Sequence, residues 1–284
     1  MAKAKKVNNY MDREFPMSPK NYSAIQDIAY ELTGIKLSIQ KQDMVYSRLA
    51  RRLRQLRLGN FDHYCQILES REAGEQSEFI NAITTNLTSF FREEHHFDFL
   101  KSTVFPQLKQ THRKDRRIRA WSAGCSTGEE PYSISIMMRE CLGDAGGWNA
   151  KLLATDLDSN VVAHGKRGIY AEDRIDTVSE TRRKRWFKKD PANRQVMVKP
   201  ELQKAITFKR LNLLEPWPIK GPFDFIFCRN VVIYFDKDTQ RQLFDRYADI
   251  LAPNGFLFIG HSESLHRVST RFKSLGKTIY QKVE

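Results

Sequence analysis

Residues 118–133 read Ile-Arg-Ala-Trp-Ser-Ala-Gly-Cys-Ser-Thr-Gly-Glu-Glu-Pro-Tyr-Ser: an apolar run broken at Gly124 and Gly128, then two carboxylates and a proline. Small residues in such a turn let the backbone approach a ligand closely, and Pro131 falls where a helix's first turn tolerates a missing N–H. A dinucleotide site would want a third glycine and a helix start free for pyrophosphate. Here Glu129 and Glu130 occupy that start. They repel phosphate and suit a ligand with a positive centre, such as the amino group and sulfonium of S-adenosylmethionine. An ordinary tight strand–helix turn is the alternative reading. Asp156 ends a second apolar run, 28 residues beyond Gly128, where doubly wound folds hold the two hydroxyls of a ribose. Asp158 on the same loop is a second candidate for that role or a cap for the next helix. Arg229-Asn230 follow a third run at 223–228, and ligands in open α/β sheets bind beyond the carboxyl ends of strands.

The elements needed to position these groups are legible in outline. From Asn21 to about Leu100 the pattern is helical, with apolar residues at helical spacing over 21–33, 40–56, 61–70 and 75–85. After Arg119 it alternates: strands at 118–122, 151–155, 223–228 and 255–260, helices at 131–141, 159–166 and 237–251. That rhythm predicts a doubly wound α/β sheet. Residues 170–211 break it with a basic helix at 181–189, a Pro-Ala-Asn turn and strands at 195–198 and 205–211, read as a small antiparallel insertion. The expected division is a basic flexible tail over 1–18, an all-α N-terminal domain over 19–95, and an α/β domain over 96–284 with a β insertion at about 176–210.

Composition bounds the function. Of 284 residues, 47 are Lys or Arg and 34 Asp or Glu, a net charge of +13, so an acidic partner is expected: nucleic acid, an anionic membrane or an acidic protein face. No apolar run approaches the roughly 18 residues of a membrane span, so no membrane insertion is expected. The Lys-rich start is no secretory signal. Cys65, Cys125, Cys141 and Cys228 show no paired spacing, so a disulfide framework or zinc site is not expected and a reducing cytoplasm is. Cys125 and Cys228 read as packing residues. His95-His96 lack evident partners at ligand spacing, and no metal is expected.

Three segments in order, Asn86-Leu87-Thr88-Ser89-Phe90-Phe91-Arg92-Glu93, Ala123-Gly124-Cys125-Ser126-Thr127-Gly128-Glu129-Glu130-Pro131-Tyr132-Ser133 and Phe227-Cys228-Arg229-Asn230-Val231-Val232-Ile233-Tyr234-Phe235-Asp236, resemble the chemotaxis receptor methyltransferases (CheR). The resemblance covers about residues 20–282. It implies a Rossmann-like methyltransferase sheet preceded by an all-α domain, and transfer of a methyl group from S-adenosylmethionine to the γ-carboxylate of glutamates on cytoplasmic receptor helices, leaving S-adenosylhomocysteine. Carried onto this chain, it implies that Asn86, Thr88 and Arg92 contact cofactor or substrate, Glu130 the methionyl amino group and Asp156 the ribose. Asn212-Leu213 would lie along the adenine, Gly124 in the cofactor turn, Arg229-Asn230 near the methionyl end, and Tyr234 beside the transferred methyl. Arg92 and Tyr234 are the expected catalytic pair.

In the helix at 40–56, Val45, Leu49, Leu53 and Leu56 form a buried stripe. Arg48, Arg51 and Arg54 recur on another side, either docking an acidic receptor helix or lying as a solvated charged face. Some relatives grip a C-terminal receptor pentapeptide with the β insertion; the compact hairpin at 188–200 argues against that here. The rivals are an RNA methyltransferase and a catalytically dead cofactor sensor. The first lacks an Asn/Asp-Pro-Pro-aromatic motif at Arg229-Asn230-Val231-Val232, a proline beside Cys228 and obvious stacking platforms, so no nucleic-acid partner is expected. The second would have lost Arg92, Asp156 or Tyr234, all of which are present.

Overall fold

The computed structural model describes residues 13–143 and 147–283. The chain divides into two compact units, with the boundary between Thr85 and Asn86.

The first unit is all helical. α1 (Pro19–Thr33) opens on a reciprocal cap between Ser18 and Asn21 and closes at Gly34 in the left-handed region, φ 69°, where glycine carries no Cβ penalty. α2 (Gln42–Leu56), α3 (Phe61–Glu69) and α4 (Ala73–Ile83) follow. Tyr22, Ile25, Leu49, Leu53, Phe61, Tyr64 and Phe79 fill its core. Buried Glu75 accepts from Arg52 Nη2 at 2.6 Å and Tyr64 Oη at 3.0 Å, tying α2 and α3 to α4. Residues 1–12 of the expected tail lie outside the described residues. Its remainder is not a tail: Phe15 and Met17 are buried in the same core, each side chain gaining about 1.5–3 kcal/mol on leaving water.

The second unit begins with α5 (Glu94–Phe99), a π-helical turn (Leu100–Val104) and α6 (Phe105–Thr111). β1 (Arg117–Ala123), α7 (Glu129–Leu142), β2 (Asn149–Asp156) and α8 (Ser159–Arg167) form the first wound half. Then come β3 (Ile169–Ala171), α9 (Glu180–Trp186), β4 (Phe187–Asp190), β5 (Gln195–Val198), α10 (Pro200–Gln203) and β6 (Ile206–Arg210). The chain ends with β7 (Phe223–Cys228), α11 (Lys237–Ile250), β8 (Leu251–Ile259), β9 (Phe272–Gly276) and β10 (Ile279–Lys282).

The main sheet has the order β6-β2-β1-β7-β8-β10-β9. Its first five strands are parallel and the last two form an antiparallel edge hairpin. β7, fully buried, reads as a continuous apolar run, as a central parallel strand must. A separate three-stranded antiparallel sheet, β3-β5-β4, forms the insertion. It starts at Ile169 rather than near 176. The segment expected as its last strand, 205–211, instead supplies β6, which runs parallel to β2 from Ile206↔Leu152 to Arg210↔Asp156. Asn86–Arg92, expected with the helical domain, falls in the second unit: Phe91 N bonds Ser133 Oγ at 3.0 Å and Asn86 Nδ2 bonds Asp158 Oδ2 at 2.8 Å. Among the described residues no helix is long and apolar enough to cross a membrane.

Candidate active site

The chain winds from β1 outward through β2 to β6, then returns to β7 on the other side of β1. The crevice at the carboxyl ends of β1 and β7 is therefore the topological switch point, where such sheets bind ligands. The turn after β1 holds Gly124, Ser126 and Gly128 at φ 93°, 47° and 101°. A Cβ on Gly124 would collide with Val231 Cγ2 in the loop after β7, so glycine here serves both the backbone angle and the close approach of two site loops. The amides of Gly124 and Cys125 both donate to Thr155 O at 2.8 Å, fastening the turn to the end of β2.

At that end, Asp156 accepts from Ser126 N at 2.8 Å and from Asp158 N at 3.0 Å. Burial outweighs these bonds and pushes its pKa up to about 6. Each oxygen keeps a further lone pair for an added donor such as a ribose hydroxyl. Asp158 is the cap rather than a second ribose group: its Oδ1 accepts from Asn160 N and Val161 N at the start of α8. Leu211 N donates to Asp156 O at 2.9 Å, bringing Asn212 and buried Leu213 to the same sheet end.

Glu129 and Glu130 are both buried and neither is a lone anion. Glu129 pairs with Arg174, which also donates to Thr88 O at 2.9 Å. Glu130 accepts from Ser122 Oγ and Arg229 Nε, each at 2.7 Å. One acceptor site per oxygen remains for an ammonium. The Arg229 side chain is 2% exposed, so it sits behind Glu130 as a sealed support rather than as an open ligand. Its Nη1 donates to Arg92 O at 2.6 Å and meets His96 Nδ1 at 3.2 Å. Because a guanidinium only donates, His96 Nδ1 is the acceptor and its Nε2 carries the proton, 3.1 Å from Lys277 O. Arg92 itself is half-buried, with Nη1 on Leu87 O at 2.9 Å.

Glu263 had no place in the sequence reading. Its buried carboxylate accepts from the amides of Gly260 at 2.6 Å, Asn230 at 3.0 Å and Ile233 at 3.2 Å. Burial raises its pKa while these amides lower it, for a net upward shift. It thus fixes the loop that carries Arg229, Asn230 (φ 58°) and half-buried Tyr234. No local spacing announces it, since two of its three partners come from the loop after β7, thirty or more residues away.

The other candidates separate cleanly. Burial pushes the Cys125 and Cys228 thiols well up, so neither is an available nucleophile. Glu93 joins His95 and His96 with ligand-type atoms within 4.8 Å of one another, a partner the sequence reading missed. The Arg229 guanidinium shares that space, 3.5 Å from Glu93 Oε2. Of the expected docking stripe, Arg48 is turned onto the carbonyls of Ala82, Ile83 and Thr84 at the end of α4, and Arg54 pairs with Glu14. Arg51 remains exposed. Arg48 is therefore spent within the helical unit, while Arg54, 53% exposed in a surface pair, stays at the surface with Arg51.

The half-buried groups around the switch point (Asn86, Thr88, Asp156, Asn212, Asn230, Tyr234) are acceptors and neutral amides or hydroxyls, with the Arg229 guanidinium consumed by Glu130 and that of Arg92 donating to Leu87 O. That donor set fits a nucleoside with a cationic centre better than a phosphate. Comparison with known proteins agrees. Residues 86–281 match the CheR methyltransferase SAM binding domain and residues 20–84 the CheR methyltransferase all-alpha domain. The chain is 44% identical to chemotaxis protein methyltransferase 2 of Pseudomonas aeruginosa over 95% of both chains. It is 42% identical to the chemotaxis protein methyltransferase of Escherichia coli, covering 95% of this chain and 93% of that one. The chain belongs to the CheR methyltransferase family, with an all-α domain followed by an S-adenosylmethionine-binding domain.

Proposed function

We propose that this protein methylates the γ-carboxylate of specific glutamates on the cytoplasmic helices of chemotaxis receptors, yielding glutamate methyl esters and S-adenosylhomocysteine. The observation that carries the reading is the Asp156 carboxylate, bound to Ser126 N and raised in pKa at the switch point, opposite the loop fixed by Glu263. S-adenosylmethionine, when bound, supplies an electrophilic methyl on a cationic sulfur. Asp156 would hold the ribose, Asn212 and Leu213 the base, and Glu130 with Asn230 the methionyl amino end, while Gly124 leaves room for the backbone to approach.

A glutamate acceptor has an ordinary pKa of about 4.3 and is already an anion at neutral pH. No general base is required of the protein. Its task is to align one carboxylate oxygen and strip its water without over-stabilising the charge. Arg92 and Tyr234 suit this: each donates to an oxygen while leaving a lone pair for attack. Exposed Arg51 and Arg54 would meet the acidic receptor helix, with Arg48 holding α2 onto the end of α4.

The test is incubation with methyl-labelled cofactor and a receptor cytoplasmic fragment. Label released as methanol by mild base is expected, since a carboxyl ester hydrolyses where amide or amine methyl does not. Base-stable label, or label in RNA, would replace this reading.

A further inference from the structure

Phe91 and Glu93, on either side of Arg92, both stand in the left-handed region, at φ 54° and 58°. Neither is glycine, and a residue with a Cβ keeps that conformation only where its surroundings hold it there. Phe91 is held by Ser133, whose Oγ accepts from its amide at 3.0 Å, and by the Phe97 ring 5.1 Å away. Glu93 is held from a different element. Its Oε1 meets His261 Nδ1 at 2.9 Å and accepts from the His261 amide at 3.3 Å, just past the end of β8. Burial pushes the Glu93 carboxyl up, but the His261 bond and the charge of Arg229 outweigh it, so the net shift is downward and the group is an anion at neutral pH. A carboxylate only accepts, so His261 Nδ1 carries the proton of this bond.

The His261 side of the bond is tied to the loop after β7. Gly260, the preceding residue, donates to Glu263, which also accepts from Asn230 and Ile233. A Cβ on Gly260 would lie 2.7 Å from Asn230 N, so the end of β8 rests directly on the loop that carries Tyr234. The Glu93–His261 bond therefore bridges the two supports of the site, the segment bearing Arg92 and the loop bearing Tyr234. We propose that Glu93 and His261 are positioning residues for methyl transfer, a clasp that sets the spacing between Arg92 and Tyr234. The proposal rests on the receptor-glutamate reading above. Two donors serve one acceptor carboxylate only at a fixed separation, and alignment is what the protein adds to a nucleophile that is already ionised. The His261 side chain is 64% exposed, so replacing it opens no cavity in the core.

The experiment measures kcat and KM for base-labile methylation of a receptor cytoplasmic fragment by the full chain. Wild type, His261→Ala, His261→Asn, Arg92→Ala and the double variant His261→Ala with Arg92→Ala are compared, with S-adenosylhomocysteine affinity and thermal midpoint as controls for folding. His261→Ala is expected to lower kcat by about tenfold, the worth of a charged hydrogen bond, with KM and product affinity changed by less than about twofold. His261→Asn, whose amide can donate near the Nδ1 position, should regain part of the rate. In the Arg92→Ala background the same His261→Ala change should cost less than about threefold, because no pair remains to be spaced. Wild-type kcat in a folded His261→Ala overturns the clasp. A full tenfold loss in the Arg92→Ala background overturns it as well, since His261 would then act independently of Arg92. Absence of base-labile label with every protein overturns the ester reading, and the clasp with it.

Discussion

Arg229 Nε donates to Glu130 Oε2 at 2.7 Å, and the two side chains are only 2% and 8% exposed. This buried pair joins the start of α7 to the end of β7, the two walls of the crevice. Removing one partner leaves the other charged and desolvated, at a cost of about 3–5 kcal/mol. Glu130→Ala is therefore expected to lower the unfolding free energy by about that amount and to weaken cofactor binding. The double change Glu130→Leu with Arg229→Met should recover much of the stability without restoring the affinity. Calorimetric titration with S-adenosylhomocysteine alongside urea unfolding separates the two effects. Recovery of both together would make the pair a purely structural brace.

Asp156 gives a pH signature. Its pKa of about 6 means that at neutral pH the carboxylate is ionised and able to accept from the cofactor's hydroxyls in the role proposed for it. As pH falls through 6 it takes a proton and loses acceptor capacity, so affinity for S-adenosylhomocysteine should fall by about tenfold per pH unit below that point. Asp156→Asn should bind weakly at pH 7 and show no such slope. Isothermal titration between pH 7.5 and pH 5 checks this, and a flat wild-type profile would remove Asp156 from the ribose position.

Glu263 ties the loop after β7, through the amides of Asn230 and Ile233, to the end of β8, through the amide of Gly260. Glu263→Ala strands these amides and frees Asn230 and Tyr234. Methyl-transfer kcat is expected to fall by about tenfold to a hundredfold, equivalent to one or two buried charged hydrogen bonds. Glu263→Gln should rescue part of it, since one oxygen still accepts. Wild-type kcat in Glu263→Ala would show that the loop orders itself by its apolar packing alone.

What the sequence made legible was local. The turn from Gly124 to Glu130 and the acid closing β2 announced themselves because a few neighbouring residues fix both backbone and chemistry. Glu263 did not, because its role exists only once β8 lies beside β7. The Arg229–His96–Glu93 cluster was hidden for the same reason: its members come from segments more than a hundred residues apart. β6 was misplaced because alternating Ile206 and Phe208 look the same on the edge of a parallel sheet as in an antiparallel insertion. Phe15 and Met17 were lost in a basic, proline-containing start whose composition resembled a tail.

His96 places the last constraint on this site. It is fully buried, and its pKa is driven down to about 3, first by burial and then by the charges of Arg229 and His95. The neutral ring is what lets Nδ1 accept from Arg229. In the unfolded chain a histidine protonates near pH 6.5, while in the folded chain His96 stays neutral until about 3. The unfolded state therefore binds the extra proton below pH 6.5, and the stability His96 contributes falls by about 1.4 kcal/mol per pH unit across that window. Asp156 acts in the opposite sense between about pH 6 and 3.8, because its folded pKa is raised. Comparing the wild type with His96→Gln isolates the histidine. The stability gap between them, measured by urea unfolding at pH 7, 6 and 5, should narrow as pH falls. A gap independent of pH would mean that the buried ring already carries a proton in the native state, which the adjoining Arg229 guanidinium forbids.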